Sequence, residues 1–111
     1  MKMDEKVKEY LEKYPAETVE LFLKLRHIVF DSAPCEPKEI LWAKMPSYYV
    51  GESFVRLIAF SDHVNVEARA VSDHKAELSG YKITPKGMLQ IYLRQEIPTA
   101  ELSKIFFETL K

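Results

Sequence analysis

Arg56 interrupts a strand-like run, Ser53 to Phe60, that is otherwise apolar on both parities. A guanidinium drawn into such surroundings has to be paired, because an uncompensated buried charge is costly. It asks for a carboxylate, a set of carbonyls or an anionic ligand. Lys44, His63, Lys82 and Lys86 fall in or beside the same strand region, with Trp42, Tyr48 and Tyr81 near them in the pattern. These residues would line a cleft for a small anionic metabolite or a peptide carboxylate, with aromatic rings as its walls. The opposing reading is internal: Glu67 or Glu52 satisfies Arg56 and leaves it a structural residue.

No other pattern carries chemistry as specific. His27, His63 and His74 are spread over a helix, a strand start and a second helix, and no two have the spacing of a local ligand pair. His63 and His74 would have to meet in space to act together. The sequence has no Ser-His-Asp order, phosphate loop or Gly-rich fingerprint, so no residue is assigned a catalytic role. Cys35 is the sole cysteine and lies between Pro34 and Glu36, where an acidic neighbour disfavours the thiolate. With no second cysteine, no intrachain disulfide forms, and a reducing cytosol is the expected compartment.

A chain of 111 residues with 47% hydrophobic and 30% charged residues is a single globular domain with one core. Its net charge of -1 argues against nucleic acid, whose binders carry a clustered basic excess. No apolar run approaches the roughly 20 residues of a spanning helix, and the charged N-terminus has no signal-peptide core, so no membrane role is expected.

The elements that must position these side chains follow from periodicity. Val7, Leu11 and Tyr14 mark a short amphipathic helix from Asp4 to Lys13, with Asp4 as its cap. Pro15 opens a longer helix, Ala16 to Ser32, which is apolar on more than one face and is read as the spine of the fold. Pro34 and Pro37 end it, and Glu39 to Trp42 is read as one further turn. The joint between helical layer and sheet then falls at Leu41 to Val50, where Trp42 would fill the gap.

Strand signals begin at Ser47, and a turn at Gly51-Glu52 leads into the central run Ser53 to Phe60. Ser61-Asp62 turns the chain again into Val64, Val66 and Ala68, which alternate with polar residues. These three strands make an antiparallel meander. Val71 to Leu78 predicts a short helix stopped near Gly80, Tyr81 to Gly87 a loop or edge strand, and Met88 to Leu93 a fourth strand. Pro98-Thr99 opens a closing helix with Leu102, Ile105, Phe106 and Leu110 on its inner stripe. Phe22, Phe30, Phe54, Phe60 and Phe106 are all expected in the core. The fold class is α+β, with helices packed on one face of a small, mainly antiparallel sheet.

The order of these signals resembles a known family. Leu25-Arg26, a proline, Trp42, Met45-Pro46, Tyr48, Phe60 to His63, Gly80-Tyr81-Lys82, Lys86-Gly87 and Ile97-Pro98 together look like the YdhG-like family. That family is catalogued as a domain of unknown function and labelled a frataxin-like intracellular iron chaperone. The resemblance runs over nearly the whole chain and implies a frataxin-like two-layer fold. The chain departs from it at the Ala43-Lys44-Met45 spacing, at Lys38 where an acid is usual four residues before the tryptophan, and at Glu67-Ala68.

The resemblance implies iron as the cargo, and iron would need hard oxygen ligands held openly. Glu5, Glu9 and Glu12 follow one helical face and would supply them. The same acids, interleaved with Lys2, Lys6, Lys8 and Lys13, equally describe a solvated helix face with intrahelical ion pairs. Three expectations follow: a non-enzymatic iron-handling domain, a module for a small anion or carboxylate, and an interaction domain whose sheet face or edge meets another protein or a second copy of itself.

Overall fold

Asp4 caps the first helix as its sequence position requires, its side chain accepting from the backbone N–H groups of Lys6 and Val7. In the computed structural model, which describes residues 2–111, α1 spans Glu5–Leu11 and α2 spans Ala16–Ser32, entered through Pro15. Six strands follow in one antiparallel sheet: β1 Lys38–Trp42, β2 Met45–Val50, β3 Ser53–Ala59, β4 His63–Ala68, β5 Lys82–Ile83 and β6 Leu89–Tyr92. A 3-10 helix, Arg69–Leu78, separates β4 from β5, and α3, Thr99–Leu110, closes the chain. The spatial order is β1-β2-β3-β4-β6-β5, with every pairing antiparallel. The architecture is α+β, and among the described residues no helix is long and apolar enough to cross a membrane.

Residues Lys38–Trp42 form a strand, not the further helical turn that the sequence predicts. Ala43 and Lys44 both have positive φ, 49° and 67°, and join Trp42 to Met45 as a two-residue hairpin of the type I′ kind. Neither residue type advertises that conformation, so the strand before it reads as helix. Gly51, at φ +61°, makes the next two-residue turn, where a residue without Cβ is suited to the left-handed region.

One parity of each strand feeds the core. Tyr48, Val55, Leu57, Val64, Val66, Leu89 and Ile91 are fully buried beneath Phe22, Leu25, Val29, Leu102, Ile105 and Phe106 of α2 and α3. Each such side chain contributes about 1.5–3 kcal/mol on leaving water. Polar ties pin the layers: Thr18 donates to the Ser61 carbonyl at 2.9 Å, and the Ala59 N–H donates to the Tyr10 hydroxyl at 2.8 Å. Among the described residues, no helix lies over the opposite parity. Phe54 and Phe60 lie there and not in the core, because both parities of β3 are apolar and only packing selects between them.

A buried polar knot fixes the corner between α1, α2 and β1. Glu39 receives Arg26 Nε at 2.6 Å and Nη2 at 3.0 Å, the Tyr48 hydroxyl at 2.8 Å and the Asp4 backbone N–H at 2.9 Å. Burial pushes the Glu39 carboxyl up, but those donors outweigh it and hold the group below its ordinary value. Burial and the adjacent carboxylate together drive the Tyr48 hydroxyl upward.

Candidate functional site

The uncovered face of the sheet carries most of the chemically capable residues, and strand register arranges them in rows. One row runs Ile40, Ser47, Arg56, Glu67 across β1 to β4. A second runs Ile58, Asn65, Gln90, Lys82 across β3, β4, β6 and β5. Lys38, Tyr49 and Phe54 form a third, and His63 opposes Tyr92 in a fourth, with Phe60 bonded to the His63 carbonyl. Trp42 opposes Met45 at the hairpin end.

Arg56 is the centre of this face and is only 7% exposed. Its Cζ lies 4.2 Å from the Trp42 ring centroid and 3.8 Å from that of Phe54, so aromatic rings flank the guanidinium. Its Nε donates to Ser47 Oγ at 3.1 Å and its Nη2 to the Tyr49 hydroxyl at 3.0 Å. Nη1 lies 3.5 Å from Glu67 Oε1, an ion pair whose carboxylate side chain is 34% exposed. The internal partner is therefore Glu67, and Arg56 presents no open charge for an anion.

A second cluster sits on β4, β6 and the residue that follows β3. The rings of Phe60, His63 and Tyr92 stack in series at 4.4 and 4.6 Å, with interplanar angles of 5° and 25°. Gln90 Nε2 donates to Asn65 Oδ1 at 3.1 Å and to His63 Nε2 at 3.4 Å. That leaves Nδ1 of His63 to donate to Asp62 Oδ1 at 2.8 Å. With both ring nitrogens within hydrogen-bonding distance of protein partners, His63 is held in the stack.

The remaining expected ligand residues do not join these clusters. Tyr48 points to the helical layer, fully buried against Glu39, because alternation sends it to the opposite face from Ser47 and Tyr49. Lys44 is exposed on the β1–β2 hairpin, Lys82 is exposed on β5, and Lys86 is exposed in the turn before β6. Tyr81 donates its hydroxyl to the Glu96 carbonyl beside the 3-10 helix. Trp42 and Lys82 stand on the two edge strands, five strand spacings or about 24 Å apart. The set converges on no single cleft. Trp42 does not plug the joint between layers either; it is 48% exposed on the open face.

Glu5, Glu9 and Glu12 are exposed on α1 and its C-cap. Glu5 and Glu12 border an open hollow of about 650 Å³ between α1 and α2, floored by Leu11, Tyr14 and Val19, and Glu9 does not. Among the described residues, no three His, Cys, Asp or Glu side chains are grouped to hold a metal ion. His74 is remote from His63, on the helical side, clamped between Glu77 at 2.6 Å and Glu108 at 2.8 Å. Glu39 and His74 are the polar residues whose roles sequence reasoning missed; their partners lie as many as 35 residues away, and only Glu77, three residues from His74, is within local reach.

Comparison of the chain with family models, curated proteins and solved structures gives no match. The YdhG-like resemblance therefore rests on the residues quoted for it.

Proposed function

We propose that the chain is a non-enzymatic protein-interaction domain whose working surface is the uncovered face of its sheet. The carrying observation is that Trp42 and Phe60, at 48% and 41% exposure, stand on this face, Trp42 over an arginine whose charge is already matched. Tryptophan, tyrosine and arginine are the types concentrated in the energetic centres of protein interfaces, and Trp42, Tyr49, Arg56 and Tyr92 share this face. Lys38, Arg56 and Lys82 are offset by Asp62 and Glu67, so the surface has no strong field of one sign. A flat, near-neutral protein surface with apolar character is the complementary partner. A small anionic metabolite would need an accessible guanidinium, and Arg56 is 7% exposed between the Trp42 and Phe54 rings. The single exposed thiol, Cys35, suits a reducing compartment, and we place the domain in the cytosol.

The test is site-specific photocrosslinking in the native cell from Phe60 and Tyr92, with Leu23 and Phe107 on the helical layer as controls. One discrete protein adduct from both sheet positions, reproduced with the purified partner and absent from the helical positions, supports the proposal. Adducts from the helical layer alone, or none, overturn it.

A further inference from the structure

The two edges of the sheet are built differently. β5 has two residues and is followed by Pro85, which leaves little backbone to pair with. β1 has five residues, contains no proline or bulge, and ends in the exposed Trp42. Its outward backbone groups follow from the hairpin. A two-residue turn makes Trp42 and Met45 a hydrogen-bonded pair, and alternation makes Ile40–Ser47 and Lys38–Tyr49 the next ones. The N–H and C=O groups of Glu39 and Leu41 are therefore left pointing away from β2. Among the described residues, no hydrogen bond from outside the sheet reaches them.

We propose that β1 pairs antiparallel with β1 of a second copy, joining two sheets across a two-fold axis at Ile40. This does not depend on the open-face reading above. Three registers can be compared. Centring on Glu39 brings Pro37, which has no N–H, opposite Leu41 of the second copy. Centring on Leu41 places the positive-φ Ala43 opposite Glu39 of the second copy. Centring on Ile40 uses all of Lys38–Trp42 and makes Glu39 and Leu41 mutual hydrogen-bonded pairs.

That third register is also self-complementary on the uncovered face. Ile40 meets Ile40 of the second copy, and Lys38 meets Trp42 of the second copy, both at non-hydrogen-bonded positions where side chains stand closest. One face of the Trp42 indole already covers Arg56, and its exposed remainder is where the second copy's Lys38 ammonium would stack. Occupant and edge thus match through a cation over a ring at each end and an aliphatic pair at the centre. Pairing through five residues a side is a small interface, so dissociation constants on the order of hundreds of micromolar are expected.

Sedimentation of the purified chain between about 10 µM and 1 mM should show reversible dimers. Ile40→Lys, which opposes two ammonium groups at the axis, should abolish them, and Trp42→Ala, which removes both symmetric ring contacts, should weaken them roughly five- to thirtyfold. In a Cys35→Ser background, Ile40→Cys should form an interchain disulfide with oxidised glutathione, because such paired Cα atoms stand about 4.5 Å apart. Lys38→Cys should not, since its two copies would lie about 14 Å apart along the strands. A chain that stays monomeric at 1 mM overturns the proposal, as does a dimer that Lys38→Cys cross-links as readily as Ile40→Cys. Capture of a foreign strand at this edge would leave the pure chain monomeric and counts against it.

Discussion

Trp42 covers Arg56 from the edge strand, its ring centroid 4.2 Å from the guanidinium carbon, although Phe54 on β3 already covers that group at 3.8 Å. The cation on the uncovered face is thereby made part of an aromatic surface. A residue that sequence logic offers as an anion hook becomes the support on which an exposed indole rests.

Arg56→Met should cost about 1–3 kcal/mol of stability in urea denaturation, because Ser47 and Tyr49 lose a charged donor and Glu67 its counter-ion. Glu67→Gln should cost less than about 1 kcal/mol, since that carboxylate is 3.5 Å away and partly in water. Equal losses for the two variants would show that the ion pair, and not the packing of rings and hydroxyls, holds the arginine.

Glu39→Gln should cost about 3 kcal/mol or more at neutral pH, because it leaves Arg26 buried without its partner. The folded carboxyl titrates below its unfolded value, so its contribution is present above that unfolded value and disappears as pH falls through the folded one. The gap between wild type and Glu39→Gln in denaturation midpoints should therefore close on acidification below roughly pH 4. A gap that widens in acid would contradict the assignment.

His74 links the 3-10 helix to α3 through Glu108 and Glu77, and hydrogen bonds to those two carboxylates, Glu108 foremost, raise it above its ordinary value of 6.5. A raised histidine stabilises fully below its unfolded value and loses that contribution as pH climbs through its folded value. The stability difference between wild type and His74→Gln should be largest below about pH 6.5 and shrink as pH rises above it. Thermal melts across roughly pH 5 to 9 read this directly, and a difference that grows with pH would reverse the sign.

Gly51→Ala should lose about 1 kcal/mol, since φ +61° disfavours any Cβ even though the added carbon meets open space. Gly80 also faces open space but has no positive φ, so Gly80→Ala should change stability by less than about 0.5 kcal/mol or raise it slightly. Similar losses at both sites would point to contacts, not backbone strain.

Local signals determined a good deal of this molecule. Asp4 and the paired prolines set the starts and stops of α1 and α2, and the turns at Gly51 and Ser61-Asp62 set β3 and β4. The 3.6-residue stripe of Leu102, Ile105, Phe106 and Leu110 fixed how α3 packs, since each of those side chains is buried. These features depend on residues within a turn or two of one another, so the sequence alone contains their cause. What only the tertiary structure decided is which face of β3 the helices take, that Lys38–Trp42 is a strand, and that Glu39, Arg56 and His74 are satisfied from within. Both parities of β3 are apolar, so alternation cannot choose a side. Ala43 and Lys44 take left-handed backbone only because pairing along β1 and β2 compensates it. The partners of Glu39 and Arg56, and Glu108 opposite His74, come together when separate elements pack or pair, and no spacing along the chain encodes that meeting; only Glu77, three residues from His74, is local.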